Sequence, residues 1–159
     1  MQSGEYSRGN AMNGTKLIFP GLAGFYATWQ PIGYTLVRIV TGYILFMHGW
    51  GKLTGPGISG IGGFMAKNGL LPGELFAGAA MFLETVGAAC LVIGLFTRFF
   101  AAALDIEMGI AFLTVHLAKG FAAGTGGYEY VLLLGIVLFA IAIRGGGPYS
   151  VDAKIGKEL

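Results

Sequence analysis

The sequence predicts an all-α integral membrane protein, a four-helix up-down bundle preceded by an N-terminal interfacial aromatic segment. Two observations lead to this fold class. The 159 residues are 55% hydrophobic and only 11% charged, whereas a soluble domain carries about 25% charged residues. The 29 glycines suit membrane helices, in which small residues let backbones approach closely. A soluble helix bundle is therefore the less favoured alternative.

The first span, predicted at residues 31–53, is the segment around which the others are arranged. At about 100° per residue, small and ionisable side chains fall on one narrow stripe, with His48 on its flank. The stripe consists of Arg38, Thr41, Gly42, Leu45, Gly49 and Lys52. A helix with apolar residues on its other side is expected to face lipid there and to pack inside a bundle along the stripe. Ionisable groups at membrane depth are costly and indicate a function.

The chain divides into three predicted regions. Residues 1–30 are a polar tail followed by the interfacial segment LIFPGLAGFYATWQ, which is too short to span about 30 Å of hydrocarbon. Its aromatic residues are typical of the membrane interface. Residues 31–144 hold the bundle, with spans at about 31–53, 72–96, 98–119 and 128–144. Residues 145–159 are predicted to be a cytoplasmic C-terminal tail.

Two glycine-rich stretches are predicted to connect the spans. Residues 54–63, TGPGISGIGG, form a loop, with one helical turn expected from Phe64 to Asn68. Pro72 is a good first residue for the second span. The loop GFAAGTGG leads from the third span into the fourth.

Positive charge predicts the orientation of the chain. With four spans both termini lie on one side, and that side carries the excess of Lys and Arg, which places it in the cytoplasm. The terminal side holds Arg8, Lys16, Arg38, Arg98, Arg144, Lys154 and Lys157, and the outer side holds Lys52, Lys67 and Lys119.

A polar cluster is predicted at the outer ends of the spans, formed by His48, Lys52, His116, Lys119 and Glu129. Converging helix ends would make a pocket with two imidazoles that titrate near neutrality. A quinone headgroup needs hydrogen-bond donors at its carbonyl oxygens and a proton supply on reduction, which His, Lys and Glu can provide. The alternative is structural, with Glu129 paired to Lys52 or Lys119 and the histidines capping helices or bonding the loop backbone.

A second set of ionisable residues lies deeper in the predicted membrane: Arg38, Glu84, Asp105 and Glu107. A carboxylate without a partner in hydrocarbon takes up a proton, so a partner is expected. Arg38 is the cation of the inner half, and we predict that it approaches Glu84 or Asp105. A proton relay toward the outer cluster is the functional alternative. Glu107 is expected to face a partner subunit or to stay protonated.

Metal chemistry and nucleic-acid binding find little support in the sequence. The net charge is +2 and there is no basic patch, so no nucleic-acid partner is expected. The single Cys90 excludes an intrachain disulfide and a thiolate metal set. The two histidines could ligate one haem b, but they lie near the surface. A di-iron bundle needs Glu-x-x-His pairs, and Glu84 and Glu107 lack them, so no metal site is assigned.

Three motifs resemble those of the DoxX family of small four-helix membrane proteins. The first span is similar to its R-x3-G-x6-G-x2-K pattern, carried by Arg38, Gly42, Gly49 and Lys52 with His48 in place. The second span resembles its Glu-led helix, carried by Glu84, Gly87, Gly94, Leu95, Thr97 and Arg98. The third group is similar to its H-x3-G-F, Gly-Gly-Tyr-Glu-Tyr and Gly-Pro-x-Ser-x-Asp elements, carried by His116, Gly120, Phe121, Gly126, Gly127, Tyr128, Glu129, Tyr130, Gly147, Pro148, Ser150 and Asp152. The resemblance covers about residues 34–153.

The resemblance implies a bundle in a bacterial or archaeal cytoplasmic (inner) membrane. One relative in the family is part of an archaeal thiosulfate:quinone oxidoreductase, and others are linked to thiol and oxidative-stress systems through complexes with soluble redox proteins. At the positions of Asp105 and Glu107 the family is expected to carry mostly apolar or amide residues. These two carboxylates are therefore expected to be particular to this chain.

Three functions remain open from the sequence. We favour an integral subunit of a membrane redox assembly, quinone-linked or of the thiol and oxidative-stress type, with the polar pocket at its outer helix ends. The alternatives are a non-catalytic accessory subunit of a larger membrane complex and a transporter of a small solute or proton. The chain has no inverted repeat of the kind that transporters use. The bilayer, and either protein partners or further copies of the chain, are the expected partners, and no motif decides whether the chain is itself an enzyme.

Overall fold

The structure is a computed structural model, and it describes residues 17–159; the polar tail expected at residues 1–16 lies outside this range. The regular structure of the described residues is helical, without a β-strand. Short 3-10 turns cover Pro20–Leu22 and Ala123–Thr125. The longer helices are α1 (Ala23–Thr54), α2 (Gly57–Lys67), α3 (Gly73–Ile93), α4 (Thr97–Lys119), α5 (Glu129–Arg144) and α6 (Val151–Ile155).

The chain separates into two compact units, residues 1–30 and residues 31–159. In the described part of the first unit, aromatic side chains cluster along the chain. The rings of Phe25 and Tyr26 meet edge to face with their centroids 5.7 Å apart, and Trp29 lies 6.1 Å from Phe25. All three side chains are exposed. An amphipathic surface of this kind suits a membrane interface, and this location remains a prediction.

The buried face of α1 is the stripe that the sequence predicts. Arg38, Thr41, Gly42, Leu45 and Gly49 are the buried residues of this helix, which confirms the periodicity argument. Two glycines bring α1 against α3. A methyl group on Gly42 would lie 2.9 Å from the carbonyl oxygen of Ala88, and one on Gly49 would lie 2.7 Å from Cβ of Glu84. Because the earlier glycine meets the later part of α3, the two helices run in opposite directions.

The core of the second unit lies between α1, α3, α4 and α5. The start of α4 contacts the end of α5, where the Arg98 guanidinium donates to the carbonyl oxygens of Ala142 (3.0 Å), Ile143 and Arg144 (3.3 Å). These two helices therefore also run in opposite directions. The buried apolar residues that form this core cluster are Leu45, Ala88, Leu91, Ala101, Leu104, Met108, Val131, Leu134, Leu138 and Ile141.

The connection between the first two predicted spans is helical, so the prediction of a loop at residues 54–63 is wrong. Helix α2 covers most of that stretch and continues to Lys67. Glycine lowers helix propensity, but here it permits a close contact that compensates. A methyl group on Gly62 would lie 2.8 Å from Cγ of Glu74 at the start of α3. Packing against α3 thus stabilises a helix that local propensity does not favour.

The C-terminal residues are not a free polar tail. Asp152 is fully buried and its carboxylate accepts hydrogen bonds from the backbone N–H groups of Phe96 (2.8 Å) and Thr97 (2.9 Å) and from the Thr97 hydroxyl (2.7 Å). Ser150 caps α6 by accepting from the N–H of Ala153 at 3.1 Å. The segment therefore satisfies the unpaired N–H groups at the start of α4, which a helix leaves open.

Within residues 17–159, two helices are long and apolar enough to cross a membrane, namely α3 and α4. Helix α5 has 16 residues, fewer than the about 20 that a straight span needs. Both membrane-capable helices contain a π-helical turn, at Leu83–Gly87 in α3 and at Phe112–His116 in α4. Such turns are frequent at functional sites. A bundle that crosses the bilayer four times remains a prediction.

Candidate ligand-binding cavity

A cavity of about 610 Å³ lies between helices α1 to α5. Ligand pockets in proteins usually have volumes of about 300–1,000 Å³. Both π-helical turns contribute to its wall, through Glu84 of the first and His116 of the second. Its polar lining residues are His48, Lys52, Glu84, Glu107, Thr114, His116, Lys119 and Tyr130, and the rest of the wall is apolar.

The cavity combines members of the two polar sets that the sequence places at different depths. His48, Lys52, His116 and Lys119 come from the predicted outer cluster, and Glu84 and Glu107 come from the deeper set. Glu129, Arg38 and Asp105 are not part of the wall.

Lys52 and Glu84 form an ion pair through Nζ and Oε2. The Glu84 side chain is 4% exposed and that of Lys52 is 27% exposed. The Gly49 contact brings the end of α1 against this turn of α3, which places the ammonium over the carboxylate. A buried carboxylate needs such a partner, because an unpaired buried charge is strongly destabilising.

Arg38 does not pair with Glu84 or Asp105, so that prediction is wrong. Its guanidinium donates to the carbonyl oxygens of Leu91 (2.5 Å), Val92 (2.8 Å) and Tyr149 (2.8 Å). The physical reason is the end of α3. Gly94, with a φ of 73°, ends the helix, and the last carbonyl groups of a helix lack partners within it and carry partial negative charge. These dipoles replace the carboxylate that we expected.

Glu107 lies in the cavity wall rather than on an outward-facing side of α4. Its Oε2 atom is buried and has no hydrogen-bond partner among the described residues. A buried polar atom without a partner costs about 1–3 kcal/mol. Asp105, two residues earlier, is half-buried and lies toward α5, where a methyl group on Gly135 would be 3.5 Å from its Oδ1. The two carboxylates of α4 therefore have different surroundings.

The two histidines occupy different positions at the cavity. Nδ1 of His116 lies 2.7 Å from the carbonyl oxygen of Gly126, so this histidine bonds the loop backbone, as the structural alternative predicted. That contact leaves Nε2 for other partners. His48 is exposed, and its ring centroid lies 6.3 Å from that of Tyr130. The sequence argument did not select Tyr130 as a site residue, although the Gly-Gly-Tyr-Glu-Tyr motif contains it.

Glu129 has a local structural role. Its Oε2 accepts a hydrogen bond from the N–H of Ala123 at 3.1 Å in the preceding loop. It forms no ion pair with Lys52 or Lys119 within the described residues, and Lys52 pairs with Glu84 instead. In residues 17–159 no group of three or more His, Cys, Asp or Glu side chains could hold a metal ion.

These features define a helical protein with two membrane-capable helices and an apolar cavity with a polar wall. Comparison with known families assigns it further, because the DoxX family model matches residues 33–117. The chain belongs to the DoxX family and is a membrane protein. The match includes the cavity residues from His48 to His116.

Three bacterial relatives extend the comparison. The chain is 34% identical to an uncharacterised protein of Haemophilus influenzae over 134 residues, which cover 82% of this chain and 96% of the relative. It is 32% identical to the Bacillus subtilis protein named "Putative oxidoreductase CatD", over 79% of this chain and 89% of the relative. It is 29% identical to the inner membrane protein YqjF of Escherichia coli, over 81% and 96%. No solved structure matches the chain.

Proposed function

We propose that the chain is an integral subunit of a membrane redox assembly and that its cavity binds the headgroup of a quinone. The observation that carries this proposal is the 610 Å³ cavity, in which apolar walls meet Lys52, Glu84, Glu107 and His116. A quinone has an apolar tail and two carbonyl oxygens, which accept hydrogen bonds but donate none. A mostly apolar pocket with a few polar groups is the usual form of a small-molecule site.

Several groups in the wall suit the two carbonyl oxygens. The ammonium of Lys52 carries three N–H donors, and its ion pair with Glu84 leaves donors for a ligand. His48, His116 and Tyr130 also line the cavity, and the contact of His116 with Gly126 uses Nδ1 and leaves Nε2 for another partner. An imidazole can accept and release a proton, as reduction of a quinone requires.

The proposal places this cavity near the outer surface of a bacterial cytoplasmic membrane, in a four-span bundle with both termini in the cytoplasm. The opposite directions of α1 and α3, and of α4 and α5, support the up-down order. The relative named an inner membrane protein supports the location. The relative named an oxidoreductase supports the redox class.

The test is to purify the protein from native membranes in a mild detergent and to measure bound quinone and co-purifying chains. We expect about one quinone per chain and redox subunits among the partners. Ala79→Phe puts a ring into the cavity wall and should lower bound quinone by about tenfold or more. Ala89→Phe is the matched control, since Ala89 is also an exposed alanine of α3 but lies outside the wall, and it should leave quinone unchanged.

Other results would contradict the proposal in different ways. A Soret absorbance band would show that the protein binds haem b instead of quinone, with His48 and His116 as the ligands. A colourless and quinone-free protein that co-purifies with a non-redox membrane complex would replace the proposal with the accessory role. If Ala79→Phe and Ala89→Phe lost equal amounts of quinone, the quinone would not be bound in this cavity.

A further inference from the structure

We propose that Glu107 selects the polar head of the ligand, acting as a neutral carboxylic acid that donates a hydrogen bond to a carbonyl oxygen of the ligand. This inference rests on the proposed function, since it requires an oxygen-bearing apolar molecule in the cavity. It adds a specificity-determining residue and a defined protonation state. Neither follows from the presence of the cavity alone.

Two carboxyl groups in the cavity wall differ in their partners. Glu84 has its counter-ion in Lys52, whereas Glu107 forms no ion pair within the described residues. Its Oε2 is buried and is one of two buried side-chain polar atoms without a partner in residues 17–159, the other being Nε of Arg38. Nε of Arg38 lies beside the C-terminal end of α3, and Arg38 is not part of the cavity wall. Glu107 is therefore the residue in the wall whose buried polar atom is available to a ligand.

Glu107 has no bonded counter-ion in the cavity, although Lys52 and Lys119 also line it. Lys52 pairs with Glu84, and Glu107 forms no ion pair within the described residues, so a charged Glu107 would be buried without a direct cationic partner. Burying a charge costs far more than burying a neutral polar group. Glu107 is therefore neutral in the ligand-free cavity. A neutral carboxylic acid has one O–H donor, which is the group that a carbonyl oxygen lacks.

A neutral Glu107 complements a ligand whose polar head carries a carbonyl oxygen. An unpaired polar group in a pocket discriminates strongly, because an apolar ligand leaves it unsatisfied and an oxygen-bearing ligand of the same shape does not. A hydrocarbon of equal size would fill the same volume and leave Glu107 without a partner. Glu107 thus favours ligands whose head carries a carbonyl oxygen over purely apolar lipids that surround the protein.

The experiment compares variants by equilibrium binding of decyl-1,4-benzoquinone and of decylbenzene to the full chain in detergent. Glu107→Gln keeps the shape and an N–H donor, so we expect quinone affinity within about threefold of the wild type. Glu107→Leu removes the donor and should weaken quinone binding by about tenfold or more. It should also bring decylbenzene closer to quinone in affinity. Asp105→Asn, on the same helix outside the wall, is the control and should change neither ligand.

Each alternative result has a separate meaning. A wild-type protein that binds no quinone overturns the proposed function and this inference together. Wild-type binding with unchanged affinity in Glu107→Leu overturns the role of Glu107 and leaves the proposed function intact. Equal loss in Glu107→Gln and Glu107→Leu shows that a neutral N–H donor of the same shape does not support binding, which overturns the role of Glu107 as a neutral hydrogen-bond donor.

A second readout does not depend on the folding of a variant. Infrared difference spectra of the wild-type protein with and without decyl-1,4-benzoquinone should show the C=O stretching band of a protonated carboxyl group shifting when the ligand binds. The band should be absent from the Glu107→Gln spectra and present in those of Asp105→Asn. A wild-type difference spectrum without any protonated-carboxyl band contradicts the inference.

Discussion

Lys52 is the residue that allows Glu84 to remain charged in an apolar wall. Replacing it by Met keeps the apolar stem and leaves a buried carboxylate without its cation. We expect Lys52→Met to lower the free energy of unfolding by on the order of 3 kcal/mol, because removal of one partner strands the other. The measurement is reversible unfolding in detergent, followed by circular dichroism.

The double variant Lys52→Met/Glu84→Met provides the control. With both charges gone no group is stranded, and most of the lost stability should return. If the single and the double variants are equally unstable, the contribution of Lys52 to the free energy of unfolding does not come from its ion pair with Glu84.

Single residues also show where the sequence argument was limited. Periodicity correctly placed Arg38 on the buried stripe of α1, because helix geometry alone determines which side chains share a face. It could not identify the partner of Arg38. The acceptors are backbone carbonyl groups at the end of α3 and in the segment before α6, and backbone atoms leave no trace in residue types. A carboxylate was the visible candidate, and it was the wrong one.

At the scale of helices, two glycines of α1 predict opposite effects of the same substitution. A methyl group on Gly49 would lie 2.7 Å from Glu84, whereas one on Gly51 meets no atom within 4 Å. We expect Gly49→Ala to destabilise the protein by about 1–3 kcal/mol, because α1 and α3 must move apart. Gly51→Ala should be neutral or stabilise by up to about 1 kcal/mol, because alanine favours helix. Thermal unfolding of both variants in the same detergent measures the difference.

A shift of the same size in both variants would contradict the close contact of α1 with α3. The quinone assay adds a second check. Gly49→Ala pushes the ion pair away from the cavity and should lower quinone binding, whereas Gly51→Ala should leave it unchanged.

The helices differ in how well the sequence predicts them. The long apolar runs predict α3, α4 and α5 with ends close to those in the structure, because hydropathy and length are enough to locate such helices. Most of helix α2 and the packing of the C-terminal segment were not predicted, for one common reason. Gly62 stabilises its helix through a close contact with Glu74, across a turn. Asp152 acts through its hydrogen bond with Thr97, which is far away in the chain. From local composition alone, such residues are predicted to lie in a loop or in a tail.

At the scale of the whole molecule, the proposed orientation predicts which surfaces an impermeant thiol reagent can reach. In a Cys90→Ala background, Lys67→Cys and Lys157→Cys each introduce one exposed thiol. With the termini in the cytoplasm, intact spheroplasts should label the thiol at position 67 and protect the one at 157. Detergent permeabilisation should then make both reactive.

Labelling of position 157 in intact spheroplasts would reverse the orientation and move the cavity to the cytoplasmic side. Labelling of both positions would require an even number of spans between them, instead of the three that we propose. The Cys90→Ala protein without an added cysteine, treated in parallel, reports the background labelling.

The contact between Arg38 and Tyr149 has a consequence for biosynthesis. These residues are 111 positions apart, and a ribosome makes the chain from its N-terminus. Arg38 is therefore synthesised long before this acceptor exists, and the carbonyl groups of Leu91 and Val92 are synthesised earlier than that of Tyr149. The hydrogen bonds of the guanidinium are completed only after every long helix of the described residues has been made. Until then Arg38 lacks the acceptor that the C-terminal segment supplies.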